Sequence, residues 1–277
     1  MADQDAQIVL ITGGNTGIGW EAVKALLQSD RKYLILMGSR SLDKAADAIN
    51  NVQQEVANAV GTVEPVQVDI SSDESIRAAY DTVREKYGRL DALVNNAGGQ
   101  YETEARQGKC TMREAFNKNF DINVSGTYVM TQTFMPLLLK STSPGGGRLL
   151  FITSGLSSLS KYSAQPYPAP NPPVGEGKWP KEELDRFNDA MAYRTSKTAL
   201  NMMMLNFAWQ LTNDSVKVWA VSPGFLATGL GGLTETMKQR GAGHPSVGGR
   251  FIRDVIEGKR DADVGKVVHS DGSVQPW

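Results

Sequence analysis

Apolar segments that favour β-structure alternate with helical patterns along most of this chain. The predicted strands are QIVLIT, YLILMG, VEPVQVDI, LDALVN, RLLFIT, VKVWAVS and GKVVH. Helical patterns lie between them, at about residues 18–28, 42–59, 73–87 and 112–139, around residues 193–197, and at 247–257. The strands are continuously apolar, as expected when helices cover both faces of a parallel sheet. The sequence therefore predicts an α/β fold with a single Rossmann-type, doubly wound parallel sheet and helices on both faces.

Two segments interrupt this alternation, and both follow predicted strand ends. Residues 155–190 include SAQPYPAPNPPVGEGKWP, whose prolines and glycines oppose regular structure, and residues 224–249 begin with GFLATGLGGLTETM. Doubly wound sheets bind ligands at this edge, so we expect the insertion (155–190) and the substrate loop (224–249) to shape a pocket. The alternative is a pair of tolerated surface insertions. Both segments are predicted to lie within one domain that spans residues 1–277.

Composition and charge argue against several classes of partner. The formal net charge is −1, so nothing favours nucleic acid or an anionic membrane surface. No segment has the ~18 consecutive apolar residues of a membrane span, and the N-terminus lacks a signal-peptide pattern. Cys110 is the single cysteine, and neither His244 nor His269 has metal-ligand spacing to other residues. We predict a cytoplasmic protein without a metal, membrane or nucleic-acid partner.

A glycine-rich sequence, TGGNTGIG, occupies the first predicted strand–helix junction. Gly13, Gly17 and Gly19 lack side chains, which lets backbone N–H groups and the helix N-terminus approach a diphosphate. The spacing is G-x-x-x-G-x-G and differs from the common G-x-G-x-x-G pattern of dinucleotide-binding proteins. Its position in a βαβ pattern favours a phosphate-binding loop.

The sequence YRTSK places Tyr193 and Lys197 four residues apart in a predicted helix. Residues at this spacing share a helix face, so the phenol and the ammonium are expected to project side by side. A free phenol has a pKa of about 10, and a neighbouring cation lowers that pKa by favouring the phenolate. The pair is therefore a candidate proton donor. The alternative is a surface helix with an extended lysine.

Six motifs occur in one order between about residues 8 and 228: TGGNTGIG at 12–19, NNAG at 95–98, Asn123 in INVSGT, Ser154 in FITSG, YRTSK, and PG at 223–224. Together they resemble the short-chain dehydrogenase/reductase family, and the glycine spacing resembles that of its carbonyl reductases. The resemblance implies one dinucleotide-binding and catalytic domain that transfers hydride to a ketone or aldehyde carbonyl.

The resemblance also implies the roles of the site residues. Tyr193 is expected to be the general acid, and Lys197 to support it and hold the nicotinamide ribose. Ser154 is expected to hydrogen-bond the substrate oxygen, and Asn123 to anchor a water that relays protons. Thr153, Ser157 and Ser158 compete with Ser154 for its role. The expected cofactor contacts are Gly13, Asn15, Thr16, Gly17, Ile18, Gly19, Arg40, Asp69, Ile70, Asn96, Ala97, Gly98, Tyr193, Lys197, Pro223 and Gly224.

The end of the second predicted strand favours NADP(H) over NAD(H). Ser39 stands where NAD-specific relatives carry an acid, and Arg40 follows it. An acid there would repel a 2′-phosphate, whereas an arginine forms charge-assisted hydrogen bonds with it. Thr16 is a departure, because many NADP-using relatives have a basic residue at that site. Asp69 is expected to contact adenine through its side chain and Ile70 through its backbone, or else Asp69 is a solvated strand end.

The predicted function is therefore NADPH-dependent reduction of a small-molecule carbonyl compound, reversible as alcohol oxidation. Two alternatives remain: a non-redox relative (isomerase, dehydratase or cyclase), and a non-catalytic dinucleotide sensor. Compact members of the family are usually tetramers, while a carbonyl reductase with a long insertion can be a monomer. The 39 residues from Ser154 to Tyr193 favour a monomer or homodimer here.

Overall fold

The structure is a computed structural model, and it describes residues 5–164 and 190–277. These residues form one eight-stranded sheet with the order β3-β2-β1-β4-β5-β6-β7-β8. The strands are β1 (Gln7–Ile11), β2 (Tyr33–Ser39), β3 (Thr62–Gln67), β4 (Ala92–Asn95), β5 (Gly147–Ile152), β6 (Val216–Ser222), β7 (Val267–His269) and β8 (Val274–Gln275). All pairs are parallel except β7 with β8. The predicted doubly wound fold is confirmed, and the short antiparallel β8 is an addition to it.

Helices connect the parallel strands and cover the sheet. They are α1 (Gly17–Leu27), α2 (Leu42–Glu55), α3 (Asp73–Tyr87), α4 (Glu102–Arg106), α5 (Met112–Phe120), α6 (Thr127–Leu138), α7 (Leu159–Ala164), α8 (Met191–Gln210), α9 (Thr234–Gln239) and α10 (Ser246–Ile256). The strand order reverses between β1 and β4, where a doubly wound sheet opens a crevice for ligands.

Two apolar cores explain why the strands are continuously hydrophobic. Ile8 and Leu10 of β1 pack into a core with α3, α6 and α8, while Val9 and Ile11 pack into a second core with α1, α2 and α10. Successive side chains of a strand point to opposite faces, so a strand covered on both faces needs apolar residues at every position. The two cores fix the sheet between its helix layers.

The helix predicted over residues 112–139 is interrupted in the structure. A π-helical turn, Asp121–Gly126, separates α5 from α6. Gly126 packs directly on the carbonyl oxygen of Ile70, and a Cβ atom there would overlap it. A π-turn adds a residue to the helix turn and often lies at a functional site. Helix α2 also ends earlier than predicted, at Glu55 instead of Ala59.

The two predicted loop segments begin at the carboxyl ends of β5 and β6. Of the insertion, Gly155–Ser157 forms a 3₁₀ turn and α7 follows it, while residues 165–189 lie outside the described part of the chain. The substrate loop contains a 3₁₀ turn (Leu230–Gly232), α9 and the beginning of α10, so it is more regular than its glycine content suggests. No described helix is long and apolar enough to cross a membrane.

Candidate active site

The loop that follows β1 turns sharply into α1 and is held by the segment after β4. Gly13 and Gly17 have φ angles of +62° and +56°, in the backbone region that favours glycine. The side-chain amide of Asn96 donates hydrogen bonds to the carbonyl oxygens of Thr12 (2.8 Å) and Gly13 (3.1 Å). A Cβ atom on Gly19 would overlap both the Gly13 carbonyl and the Asn96 amide. Two of the predicted cofactor-binding motifs therefore lie in direct contact.

The N-terminus of α1 is suited to hold a diphosphate. Thr16, its N-cap residue, makes no side-chain hydrogen bond to the amides of the first turn, and that turn has no acidic residue. The position beside the Cα of Gly17 is open, since a Cβ there would meet no atom within 4 Å. Free N–H groups and the helix dipole attract phosphate. The residues present therefore fit a dinucleotide diphosphate at 15–19: Asn15, Thr16, Gly17, Ile18 and Gly19.

The ends of β2 and β3 lie beside this loop in the sheet. Ser39 is buried, and its hydroxyl donates a hydrogen bond to the carbonyl oxygen of Ser41. Arg40 is exposed. Oδ1 of Asp69 accepts hydrogen bonds from the amide (3.0 Å) and the hydroxyl (2.7 Å) of Ser71, and Ile70 is buried. The second strand thus ends in a neutral residue followed by a cation. The carboxylate of Asp69 already orders the turn after β3.

The remaining predicted contacts follow β4 and β6. The amide of Ala97 donates to the hydroxyl of Thr12 (3.0 Å), which ties NNAG to β1. Pro223 and Gly224 follow β6, and Gly224 has a φ of +97°. A Cβ on Gly224 would lie 2.9 Å from the Ser270 hydroxyl, so this turn also requires glycine. All of these positions lie at the carboxyl edge of the sheet.

Tyr193 and Lys197 lie in the first two turns of α8, and both side chains are buried. The side chain of Ser154, just beyond β5, lies beside the hydroxyl of Tyr193 and lowers its pKa by hydrogen bonding. Nζ of Lys197 lies 5.7 Å from the Tyr193 ring centroid and donates to the carbonyl oxygen of Ile152 (2.8 Å). The alternative of an exposed helix face is therefore wrong for this pair. Three of the four predicted catalytic residues meet at the end of β5.

The pKa values of this pair shift in opposite directions. Burial raises the pKa of Tyr193 to about 12; the hydrogen bond with Ser154 opposes this rise, and the charge of Glu102 adds to it. Burial lowers the pKa of Lys197 to about 8. The expectation that the lysine lowers the phenol's pKa is not met in this structure. The reason is geometric, because the ammonium is directed to the Ile152 carbonyl and the phenol is surrounded by protein.

Asn123 lies in the π-helical turn and is fully buried. Its Oδ1 accepts from the amide of Gly99 (2.9 Å), and its Nδ2 donates to the Gly99 carbonyl (2.9 Å) and to the Ser196 hydroxyl (2.9 Å). A Cβ on Gly98 would lie 2.9 Å from Oδ1 of Asn123 and 3.4 Å from Nζ of Lys197. The side chain of Asn123 therefore joins Gly99, directly after NNAG, to the helix of the Tyr–Lys pair.

The three hydroxyls that competed with Ser154 have other partners. Thr153 donates to Oδ1 of Asn201 (2.7 Å), and Ser157 donates to the carbonyl oxygen of Ser154 (2.6 Å). Ser158 donates to a carbonyl oxygen of Trp277 (3.5 Å). Among these four hydroxyls, Ser154 is the one that lowers the pKa of Tyr193. The hydroxyls of Thr153, Ser157 and Ser158 stabilise the loop after β5 through these contacts.

The structure adds supporting residues that the sequence did not suggest. Gln275 of β8 donates to the Ser154 carbonyl (3.2 Å) and to the Ser157 hydroxyl (3.1 Å). Glu102 of α4 accepts a hydrogen bond from the backbone amide of Tyr193 (2.7 Å). Both are distant along the chain from the residues that they contact, and neither belongs to a local motif. In the described residues, no group of three or more His, Cys, Asp or Glu side chains could hold a metal ion.

Comparison with known proteins identifies the family. A sequence model of the short chain dehydrogenase family matches residues 7–170. Over the whole length of both proteins, the chain is 46% identical to the short-chain dehydrogenase/reductase tropE of Talaromyces stipitatus. The chain is a short-chain dehydrogenase/reductase. It is thus a member of a family of oxidoreductases that use NAD(H) or NADP(H).

Other similarities agree with this assignment. The short-chain dehydrogenase/reductase eupG of a Phoma species is 42% identical, with 98% of this chain and 97% of that protein covered. Among solved structures, the NADPH-bound carbonyl reductase from chicken fatty liver superposes with a TM-score of 0.75 at 21% identity. That comparison covers 98% of this chain and 99% of the reductase, and it establishes a shared fold.

Proposed function

We propose that this short-chain dehydrogenase/reductase uses NADPH to reduce a ketone or aldehyde carbonyl, with Tyr193 as the general acid. The observation that supports this most directly is the position of the half-buried Ser154 side chain beside the buried phenol of Tyr193, whose pKa it lowers by hydrogen bonding. These two hydroxyls provide a proton donor and a second hydrogen-bond donor for one carbonyl oxygen. They lie at the carboxyl edge of the sheet, as does the glycine loop suited to a diphosphate.

In the proposed reaction NADPH, when bound, supplies the hydride that reduces the carbonyl carbon. The Tyr193 hydroxyl gives its proton to the carbonyl oxygen, while Ser154 hydrogen-bonds that oxygen and stabilises its developing negative charge. The raised pKa of Tyr193 keeps the phenol protonated at neutral pH, which is the form that reduction requires. Lys197 holds the nicotinamide ribose, and Asn123 fixes the loop beside it.

The preference for NADPH is part of this proposal. Ser39 presents no carboxylate to repel a 2′-phosphate, and the exposed Arg40 offers a guanidinium that binds phosphate well. Asp69 and Ile70 are assigned to the adenine, since they follow the neighbouring strand. The NADPH in the chicken carbonyl reductase, which shares this fold, is consistent with the assignment.

The experiment is Tyr193→Phe, assayed by NADPH oxidation with a panel of ketones and aldehydes. Loss of the general acid should lower kcat by at least ~10²-fold, while the affinity for NADPH, measured by fluorescence titration, stays near the parental value. Tyr87→Phe, in the last turn of α3 and outside the candidate site, is the matched control. Parental turnover by Tyr193→Phe would refute the assignment. NADPH binding by a parent protein that reduces no carbonyl would favour a non-redox relative or a sensor.

We further propose that the protein is a cytoplasmic homodimer. The apolar side chains of Met202 and Trp209 in α8 are 67% and 76% exposed. They are seven residues apart and so lie on one face of the helix. Tyr128 on α6 and Leu139, which directly follows α6, are exposed as well. An apolar surface of this kind favours association with a second copy of the chain.

A further inference from the structure

A carboxylate is buried against the beginning of α8, the helix that carries Tyr193. Glu102 lies in α4 and is 1% exposed. Its Oε1 accepts a hydrogen bond from the backbone amide of Tyr193 (2.7 Å), and its Oε2 accepts one from Nδ2 of Asn119 (3.2 Å). Both carboxylate oxygens are therefore engaged by N–H donors from two different helices, α8 and α5.

Glu102 accepts a hydrogen bond from an amide in the first turn of α8, as an N-cap side chain does, although it lies 91 residues from Tyr193 in the sequence. The first amides of a helix lack partners within the helix, and Tyr193 is the third residue of α8. The N-cap residue of α8 is Ala190, which has no side chain able to accept a hydrogen bond. By contrast, the helices α2, α3 and α5 are capped locally by Ser41, Ser72 and Thr111. The start of α8 thus depends on a distant residue.

The hydrogen bond from the Tyr193 amide does not require the negative charge that Glu102 carries. A neutral asparagine or glutamine also accepts a bond from a backbone amide, and a buried carboxylate carries a desolvation cost that a neutral group avoids. Within residues 5–164 and 190–277, Glu102 has no salt bridge, whereas its neighbour Glu104 pairs with Lys118 at the surface (3.4 Å). The compensation comes from the two N–H donors and the positive end of α8.

We propose that Glu102 is a positioning residue for Tyr193: its carboxylate fixes the first turn of α8, from which the phenol projects, and places a negative charge beside that turn. This inference rests on the proposed function of Tyr193 as proton donor. The other groups that face the phenol in the described residues are Ser154, through its hydrogen bond, and Lys197, whose ammonium is directed to the Ile152 carbonyl. Glu102 is the anionic group that acts on this phenol.

Three variants separate the charge of Glu102 from its hydrogen bond. Glu102→Gln removes the charge and retains an acceptor for the Tyr193 amide, Glu102→Ala removes both, and Glu102→Asp keeps the charge on a shorter side chain. Glu104→Gln is the matched control, because it removes the same charge from the exposed face of the same helix. The titration of Tyr193 is followed by NMR in protein with ¹³Cζ-labelled tyrosine, and its resonance is assigned by its absence in Tyr193→Phe.

In the parent, the Tyr193 resonance is expected to titrate above pH 10. Glu102→Gln should lower its midpoint by roughly one pH unit, the size of a charge interaction across several ångströms of protein. The alkaline limb of the kcat profile for reduction should move to lower pH by the same amount. In hydrogen exchange, the amide of Tyr193 should exchange at least roughly ten times faster in Glu102→Ala, and nearly as in the parent in Glu102→Gln.

Each result bears on the inference. An unchanged Tyr193 midpoint in Glu102→Gln, an equal change in Glu104→Gln, or a parental midpoint below pH 10 would overturn it. If Glu102→Gln and Glu102→Ala do not fold, Glu102→Asp must retain the parental midpoint while it speeds exchange of the Tyr193 amide. The NMR and exchange measurements need no substrate. A parent that reduces no carbonyl would therefore refute the proposed function and leave these tests of Glu102 intact.

Discussion

Tyr193 and Lys197 carry opposite pKa shifts for the same physical reason. Burial disfavours the charged form of either group, which raises the pKa of the phenol to about 12 and lowers that of the ammonium to about 8. The protein thus holds a protonated acid beside a lysine that is easily neutralised. Their spacing could be read from the sequence. Their burial could not, because it depends on β5 and α4, which meet α8 from distant parts of the chain.

The buried lysine gives a testable pH dependence of stability. Between about pH 8 and 10.5 the unfolded chain binds the Lys197 proton and the folded protein does not, so parental stability should rise with pH across this window. The cost of burying the charged Lys197 ammonium destabilises the folded state fully below pH 8 and is absent above pH 10.5. The Lys197→Met variant has no such cost, so its unfolding free energy minus that of the parent should fall by roughly 3 kcal/mol across the window. Urea unfolding at pH 7 to 10.5 measures this, and a pH-independent difference would exclude the shift. Lys140→Met, at an exposed position, is the control.

The proposed preference for NADPH depends on Arg40 and on the neutral Ser39 before it. Arg40→Ala should weaken NADPH binding by at least roughly ten-fold and leave NADH nearly unaffected, because it removes a charge-assisted bond to the 2′-phosphate. Adding Ser39→Asp should move the preference towards NADH by repulsion of that phosphate. Calorimetric titration with both dinucleotides provides the measurement. Lys44→Ala, an exposed cation in the first turn of α2, is the control. Tighter binding of NADH than of NADPH by the parent would contradict this interpretation.

At the scale of the elements, the sequence predicted what is local and missed what depends on partners. The apolar runs located the seven parallel strands, because all of them except the edge strand β3 are covered on both faces. The turn at Asp121–Gly126 carries no such signal, since the close packing of Gly126 on Ile70 joins it to a segment that is distant along the chain. Similarly, β8 has two residues, too few for a pattern, although its Gln275 supports the Ser154 loop.

The junction between β1 and α1 leaves no room for a side chain at Gly19. Gly19→Ala should displace the Gly13 carbonyl and the Asn96 amide, because the added methyl group overlaps both. We expect a loss of about 1–3 kcal/mol in unfolding free energy and weaker NADPH binding. Gly229→Ala is the control, since a Cβ there meets no atom within 4 Å. Denaturation and fluorescence titration measure the two effects. Parental values for Gly19→Ala would show that the loop tolerates a side chain.

For the whole molecule, the sequence predicted the sheet and the edge at which its site lies. The six motifs come from segments spread over more than 200 residues, and the strand order brings them to the crevice beside β1 and β4. That convergence follows from the parallel topology, since β1 to β7 all end at the same edge. The single domain over residues 1–277 stays a prediction. So does the effect of the insertion, because most of it lies outside the described residues.

The exposed apolar face of α8 is proposed to join two copies of the chain, so the parent should sediment as a dimer. The double variant Met202→Glu with Trp209→Glu should be a monomer, because burial of two carboxylates at an apolar contact is costly. Val60→Glu places the same charge at an apolar position that is 54% exposed, between α2 and β3, and should leave the dimer intact. Sedimentation velocity distinguishes the three proteins. A monomeric or tetrameric parent, or a double variant that remains dimeric, would exclude this face as the contact. The Tyr193 site is built within one chain, so the monomeric variant should still bind NADPH with parental affinity.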